Sequence, residues 1–299
     1  MISNLGSALV LVDAPIYVFR GYFSLPSSFT DAKGETNNAV VGYTRFLLDL
    51  LEKQPVHISV AWDESLNTCY RNEIYPQYKA NRELPDENIL YQFACCQAVT
   101  SLLGLHGLNL KHYEADDIIG TLLTRFGDDM PAAVVTRDKD LGQLLRPGDY
   151  LWDFAADEWT DGDGVEAKFG VRPGQIADYL ALAGDTVDNI PGAPGIGAKT
   201  AATLLQYYGD IDAIYAGLDD LEATRLRGVK RIRNSLVDNE ADVRRFREIT
   251  QIKLDVPLPG TETLDDLRRG KPDAAGLAAF AEQQQLGAGL RERLANAAR

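Results

Sequence analysis

Residues 112–126 read HYEADDIIGTLLTRF and crowd Glu114, Asp116 and Asp117 into the head of an apolar run. Acids in a first helical turn are favoured by the helix dipole, at about 0.3–1 kcal/mol each. Ile118, Ile119, Leu122, Leu123 and Phe126 carry helical spacing, so a helix begins here. Capping explains the cluster if it is taken alone; metal binding is the alternative. Three short runs, ALVLVD (8–13), HISVAWD (57–63) and AAVVTRD (132–138), each end in an acid: Asp13, Asp63 and Asp138. Asp140 follows Asp138 by two, a spacing that shares one face of an extended backbone. Glu114 and Asp116 share that spacing if the chain stays extended until a helix begins near Asp117. Asp185 closes the stretch QIADYLALAGD, and Asp188 lies in the loop-forming stretch that follows it.

Nine carboxylates on one edge cannot all stay ionised without counter-charge, because like charges a few ångströms apart raise one another's pKa. Divalent cations supply that charge. Mg²⁺ takes oxygen ligands and keeps several waters, so nine acids suit two ions. Two metals about 3.5–4 Å apart serve in-line phosphoryl chemistry. Phosphodiester hydrolysis by this route needs no Ser, Cys or His nucleophile, and no nucleophilic triad is legible.

The elements that must carry these acids alternate. Helical segments around 39–52, 86–103 and 116–126 lie between the apolar runs, which implies a parallel sheet flanked by helices. Ligands of such sheets bind at the carboxyl ends of the strands, where Asp13, Asp63 and Asp138 emerge. Residues 150–175 are acidic and punctuated by Gly and Pro, and read as a connection with little core of its own. Helical periodicity resumes over 175–185. Gly195-Ile196-Gly197 then opens a helix from about Ala198 to Tyr208, with Lys199 and Thr200 in its first turn. That helix start offers free N–H groups to an anion. The spacing is not that of a P-loop; an ordinary packing turn between helices is one reading, and Gly-Ile-Gly-x-Lys-Thr-Ala as a phosphate grip is the other.

Net charge is −14, which by itself argues against nucleic acid, but the charge is polarised. Residues 225–253 hold nine Lys/Arg against four Asp/Glu, whereas 149–163 hold six acids and no base. A solvated helix face and a polyanion footprint both fit the basic stretch. No run of 18 apolar residues suggests a membrane span. Cys69, Cys95 and Cys96 show neither a disulfide framework nor CxxC spacing, which fits a reducing cytoplasm, and His57, His106 and His112 lack metal-ligand spacing. The N-terminus lacks a basic region and reads as a strand rather than a signal peptide.

Six segments together resemble the 5′ nuclease family, the flap endonucleases and the 5′→3′ exonuclease domain of bacterial DNA polymerase I: LVDAPIYVFRGY, AWDE, YPQYKANR, YEADDIIGTL, VTRDKDLGQLL and LAGDTVDNIPGAPGIGAKTA. The resemblance runs from Asp13 to roughly Leu258. It implies an α/β, PIN-like 5′ nuclease fold with a central, mostly parallel sheet flanked by helices, a helical arch and a C-terminal helix–three-turn–helix domain. The corresponding divisions are a nuclease domain at 1–174 with the arch at about 66–98, a duplex-binding domain at 175–258 and a helical extension at 259–299.

By the same resemblance, Asp13, Asp63, Glu114 and Asp116 would mainly serve a first metal site, and Asp117, Asp138, Asp140, Asp185 and Asp188 a second. The ions would be two Mg²⁺, with Mn²⁺ able to substitute. Lys79, Arg82 and Arg20 would face the scissile phosphate. Tyr78 would either stack on a base or pack within the arch. Gly195, Gly197, Lys199 and Thr200 would grip duplex backbone, with K⁺ as accompanying ion, and the 225–253 stretch would extend that footprint. The implied substrate is branched or 5′-flapped DNA, including RNA-primed ends, cut in replication and repair. A polymerase is the implied partner, and a free-standing, monomeric, nucleoid-associated cytoplasmic protein is the expectation. Two departures from the family pattern, Ala14-Pro15 after the first Asp and Phe19 in place of Tyr, remove no acid. A non-catalytic DNA binder would lack some of the acids or gateway cations. A DxD-type phosphatase would leave 185–209 without a role.

Overall fold

The computed structural model describes residues 1–63, 69–83 and 85–299. The chain packs as two compact units, neither contiguous in sequence. One comprises Ile2–Glu64, Leu84–Arg137 and Leu254–Arg299; the other comprises Met1, Ser65–Glu83 and Asp138–Lys253.

The first unit is built on four strands, β1 (Leu9–Asp13), β2 (His57–Trp62), β3 (His106–Asn109) and β4 (Ala132–Val135). They pair in parallel in the order β3-β2-β1-β4, with Leu9 level with both His57 and Ala132. Every residue of β1, β2 and β4 is buried, as strands covered on both faces must be. Helices Ala14–Ser24, Asn38–Leu51 and Glu87–Leu102 pack successively on one another, and helix Ala115–Phe126 packs on β1 and β2. Trp62 and Tyr43 are among the largest fully enclosed side chains. Helices Ala274–Gln283 and Ala288–Ala297 return to this unit, where Asn37 donates to the Gln284 carbonyl at 2.7 Å.

The second unit holds an antiparallel hairpin, β5 (Tyr150–Asp153) and β6 (Glu158–Thr160), and a set of helices that includes Gly162–Phe169, Ile176–Ala183, Ala198–Tyr208, Val229–Asp238 and Glu240–Thr250. The reading of 150–175 as a coreless connection is overturned here. Trp152, Val165 and Val171 are each 1% exposed, and Trp152 stacks on Trp159 at 4.3 Å. The acids that disguised this segment are turn and cap residues: Asp161 accepts from the Gly164 amide at 2.9 Å.

Part of the expected arch, residues 66–68 and 84, lies outside the described residues. Of the rest, a short helix, Tyr70–Ile74, belongs to the second unit, where Arg71 donates to the Ile249 carbonyl at 2.8 Å. The stretch from 87 to 98 lies in the Glu87–Leu102 helix of the first unit. Among the described residues no helix is long and apolar enough to cross a membrane.

Candidate functional site

The nine acids divide between the two units. In the first, Asp13 ends β1 and is the N-cap of helix Ala14–Ser24, with Pro15 in the first turn. It is 4% exposed, and its Oδ2 accepts from the Thr136 hydroxyl at 2.8 Å. Arg20 is exposed, two turns along that helix. Asp63 follows β2 and accepts from the Ala115 amide at 2.7 Å. Glu114 is the N-cap of helix Ala115–Phe126, so the helix begins earlier than expected, and Glu114 and Asp116 do not share an extended backbone. Asp117, fully buried, accepts from the Glu114 amide at 3.1 Å. The capping reading therefore holds for Asp117, and Asp63 performs a similar service from the neighbouring strand.

In the second unit the local backbone also differs from expectation. Lys139 is in the α region and Asp140 opens a 3₁₀ turn to Leu144. Asp138 and Asp140 are brought together by that turn, the Asp140 amide donating to Asp138 Oδ1 at 2.8 Å, and not by pleat alternation. Asp185 and Asp188 lie in a tight loop closed by reciprocal hydrogen bonds between Asp185 and Ile190, of 2.8 and 2.7 Å.

The chain itself supplies counter-charge here. Lys139 Nζ lies 2.6 Å from Asp185 Oδ2 and 3.8 Å from Asp140 Oδ1. Arg82 pairs with Asp188 Oδ1 at 2.6 Å, and the Lys79 amide donates to the Asp188 carbonyl at 3.0 Å. Tyr78 is 4% exposed and its hydroxyl donates to Asp188 Oδ2 at 3.1 Å. Its ring packs in the apolar cluster of this unit, under Lys79 Nζ at 4.9 Å. Of the two roles expected for Tyr78, packing is the one realised; a ring so enclosed is not presented to a base.

Burial, reinforced by the charge of Asp138, holds the Asp140 carboxyl well above its ordinary value, and burial likewise raises Asp138, with Asp188 contributing. Asp140 Oδ1 is buried and accepts no hydrogen bond among the described residues. Among the described residues no group of three or more His, Cys, Asp or Glu side chains forms a ready-made metal cage. A cage is not what Mg²⁺ requires, since it is held by one or two carboxylates and water. An orphaned buried carboxylate oxygen, among all-oxygen donors, fits such an ion.

The predicted anion-gripping turn is exposed. Gly195 adopts φ +79°, a conformation that favours glycine, and Gly197 is the N-cap of helix Ala198–Tyr208, with no side-chain cap. Lys199 is exposed and Thr200 half-buried. The Arg231 guanidinium borders Gly195, about 3.6 Å from where a β-carbon there would stand. Arg231 was legible only as one base in a run.

The basic stretch divides in two. Arg244 and Arg247 pair with Asp212, Arg247 also with Asp178, Arg245 with Asp242, and Arg233 with Asp219. Arg225, Arg227, Lys230 and Arg231 are exposed and make no ion pair among the described residues. The exposed bases of this stretch that make no ion pair among the described residues thus gather at 225–231.

Residues 8–170 match the family described as 5′-3′ exonuclease, N-terminal resolvase-like domain, and residues 171–275 match 5′-3′ exonuclease, C-terminal SAM fold. DNA polymerase I of Rhizobium leguminosarum is 36% identical over 85% of this chain and 25% of its own length. The thermostable DNA polymerase I of Thermus aquaticus is 32% identical over 95% of this chain and 33% of its own. The chain thus spans about a quarter to a third of such relatives. Among solved structures, a T5 5′-exonuclease with bound zinc covers 97% of both chains at TM-score 0.65 and 19% identity. The catalytic core of Rad2 in complex with DNA substrate covers 97% of this chain and 92% of its own at TM-score 0.63 and 16% identity. Those two establish a shared fold; the family matches go further. The chain belongs to the 5′-3′ exonuclease family.

Proposed function

We propose that this chain is a structure-specific 5′ nuclease that hydrolyses DNA phosphodiesters at 5′ ends and 5′-flap junctions, in replication and repair. The observation that carries the reading is the attachment of Tyr78, Lys79 and Arg82 to Asp188 within a buried acidic cluster. Phosphate-compatible cations on one short segment are thereby held against a candidate metal ligand. Arg and Lys suit a scissile phosphate by charge and donor geometry.

Two Mg²⁺ ions, or Mn²⁺ in their place, would activate water and stabilise the leaving oxygen when bound. Asp13, Asp63, Glu114 and Asp116 would hold one and Asp138, Asp140, Asp185 and Asp188 the other, with Asp117 securing the helix that presents Glu114. Lys79, Arg82 and Arg20 would orient and neutralise the phosphate. Gly195, Gly197, Lys199 and Thr200, with Arg231 bordering Gly195 and Lys230 preceding Arg231 in the chain, would hold duplex backbone, K⁺ serving as an accompanying ion. Such contacts fall on phosphates and read shape, not sequence. The Rad2 neighbour is complexed with DNA substrate and the T5 neighbour with zinc, which supports this substrate and metal dependence by analogy. A polymerase partner, RNA-primed 5′ ends, a monomeric state and a nucleoid-associated cytoplasmic location belong to the same reading.

Cleavage of a 5′-labelled flap duplex with Mg²⁺, with and without EDTA, tests it beside Asp116→Asn. Cutting near the junction that is lost with chelator and in the variant supports the nuclease. Tight flap binding without cutting would make the chain a non-catalytic binder.

A further inference from the structure

We propose that Lys139 is a resident counter-ion of the second carboxylate cluster, and that a divalent cation loads there by displacing its ammonium from Asp185. The inference rests on the reading of these acids as metal-holding, and it concerns what occupies them beforehand.

Position and geometry carry it. Lys139 lies between Asp138 and Asp140 in the chain, yet its side chain reaches a third acid, Asp185, at 2.6 Å. Asp185 is nearly enclosed, with its side chain 4% exposed, whereas that of Lys139 remains 35% exposed. The ammonium can therefore withdraw to water, and the carboxylate cannot. Along the same line, Asp140 Oδ1 lies 3.8 Å from the ammonium and has no hydrogen-bond partner among the described residues. An oxygen left in that state, beside one held by a movable monovalent cation, is a landing position for an ion of higher charge.

Lys139, Arg82 and Lys79, whose charge acts on Asp138, bring three positive charges to four carboxylates, which leaves the cluster one cation short. A divalent ion doubles the charge of the ammonium it replaces and binds several oxygens at once, so exchange is favourable. Before exchange, the ammonium limits repulsion among buried acids, which otherwise opposes folding. Lys139 on this account is a positioning residue: it keeps Asp185 in place for the metal and competes with it.

Mg²⁺ binding to the full chain, without DNA, tests the exchange by calorimetry for the parent, Lys139→Met, Lys139→Arg and Asp185→Asn. Removing a partly exposed competitor should tighten binding in Lys139→Met about three- to tenfold. Lys139→Arg, which keeps the charge, should stay near the parent, and Asp185→Asn should weaken binding. NMR of the lysine ammonium groups should show the Lys139 signal lose its hydrogen-bonded shift as Mg²⁺ is added. Unchanged or weaker binding in Lys139→Met, or an ammonium signal indifferent to Mg²⁺, overturns the proposal. Should Lys139→Met fail to fold, Lys139→Gln and the ammonium signal of the parent decide it. A parent that cuts flaps while Lys139→Met binds no tighter sinks this inference alone. A parent that exchanges as described but cuts no flap sinks the nuclease reading alone.

Discussion

The Tyr78 hydroxyl donates to Asp188 Oδ2 at 3.1 Å from within an apolar cluster, while the other oxygen of the same carboxylate takes Arg82 at 2.6 Å. Asp188 is thus fixed from two sides by one segment. Tyr78→Phe keeps the ring and deletes only the donor. Urea denaturation should register a loss of about 1 kcal/mol, the net worth of a buried hydrogen bond. A variant as stable as the parent would mean that water reaches Asp188 and that the tyrosine is not its anchor.

Asp140 gives a pH signature. Its carboxyl is raised above the ordinary 3.8 by burial and then by the Asp138 charge. A raised acid binds its proton more tightly in the folded state, so it costs stability as pH rises through its folded value. The cost is fully present above that value and vanishes below 3.8. Metal-free Asp140→Asn should therefore melt higher than the parent at neutral pH and converge with it in acid. Each tenfold change in proton affinity is worth about 1.4 kcal/mol. Thermal melts in EDTA across roughly pH 3.5–8, the span over which a raised carboxyl titrates, read this directly. A neutral-pH variant no more stable than the parent would contradict it.

The divided basic stretch separates binding from folding. Replacing Lys199, Lys230 and Arg231 with Ala should flatten the plot of log affinity against log salt for duplex DNA, by about 0.9 for each phosphate that is no longer neutralised. Arg244→Gln with Arg247→Gln should leave that slope alone and reduce stability instead, because Arg247 pairs with the buried Asp178. The reverse pattern would move the DNA to the other helix.

Gly192 closes the loop that presents Asp185 and Asp188. It adopts φ +69°, and a β-carbon there would fall on the backbone of Ala183 and Gly184. Gly192→Ala should cost more than about 1 kcal/mol, through strain and displacement together. Gly197 has φ −93° and open space around it, so Gly197→Ala should fold normally. Equal thermal midpoints for these two variants would show that the loop yields more easily than its geometry implies.

Much of the scaffold was legible in the residues. The alternation of Val-rich runs with helical periodicity located β1, β2 and β4 and the helices Asn38–Leu51, Glu87–Leu102 and Ala115–Phe126 to within a few residues, because burial of both sheet faces demands apolar runs. The hairpin Tyr150–Thr160 was not legible, since its strands are short and its acids serve turns and caps. The helix Ala14–Ser24 was hidden by its direct start at the end of β1.

Charge and spacing are local properties, so the order of residues was enough to say where β1 and β2 end and which acids follow them, though β4 stops at Val135, three residues short of Asp138. How the charges are spent was settled by packing. Asp117 caps a helix, Arg244 and Arg247 are neutralised, and Lys139 and Arg82 reach acids 46 and 106 positions away in the chain. Pairings across such separations depend on which elements pack together, and no local pattern of residues encodes that.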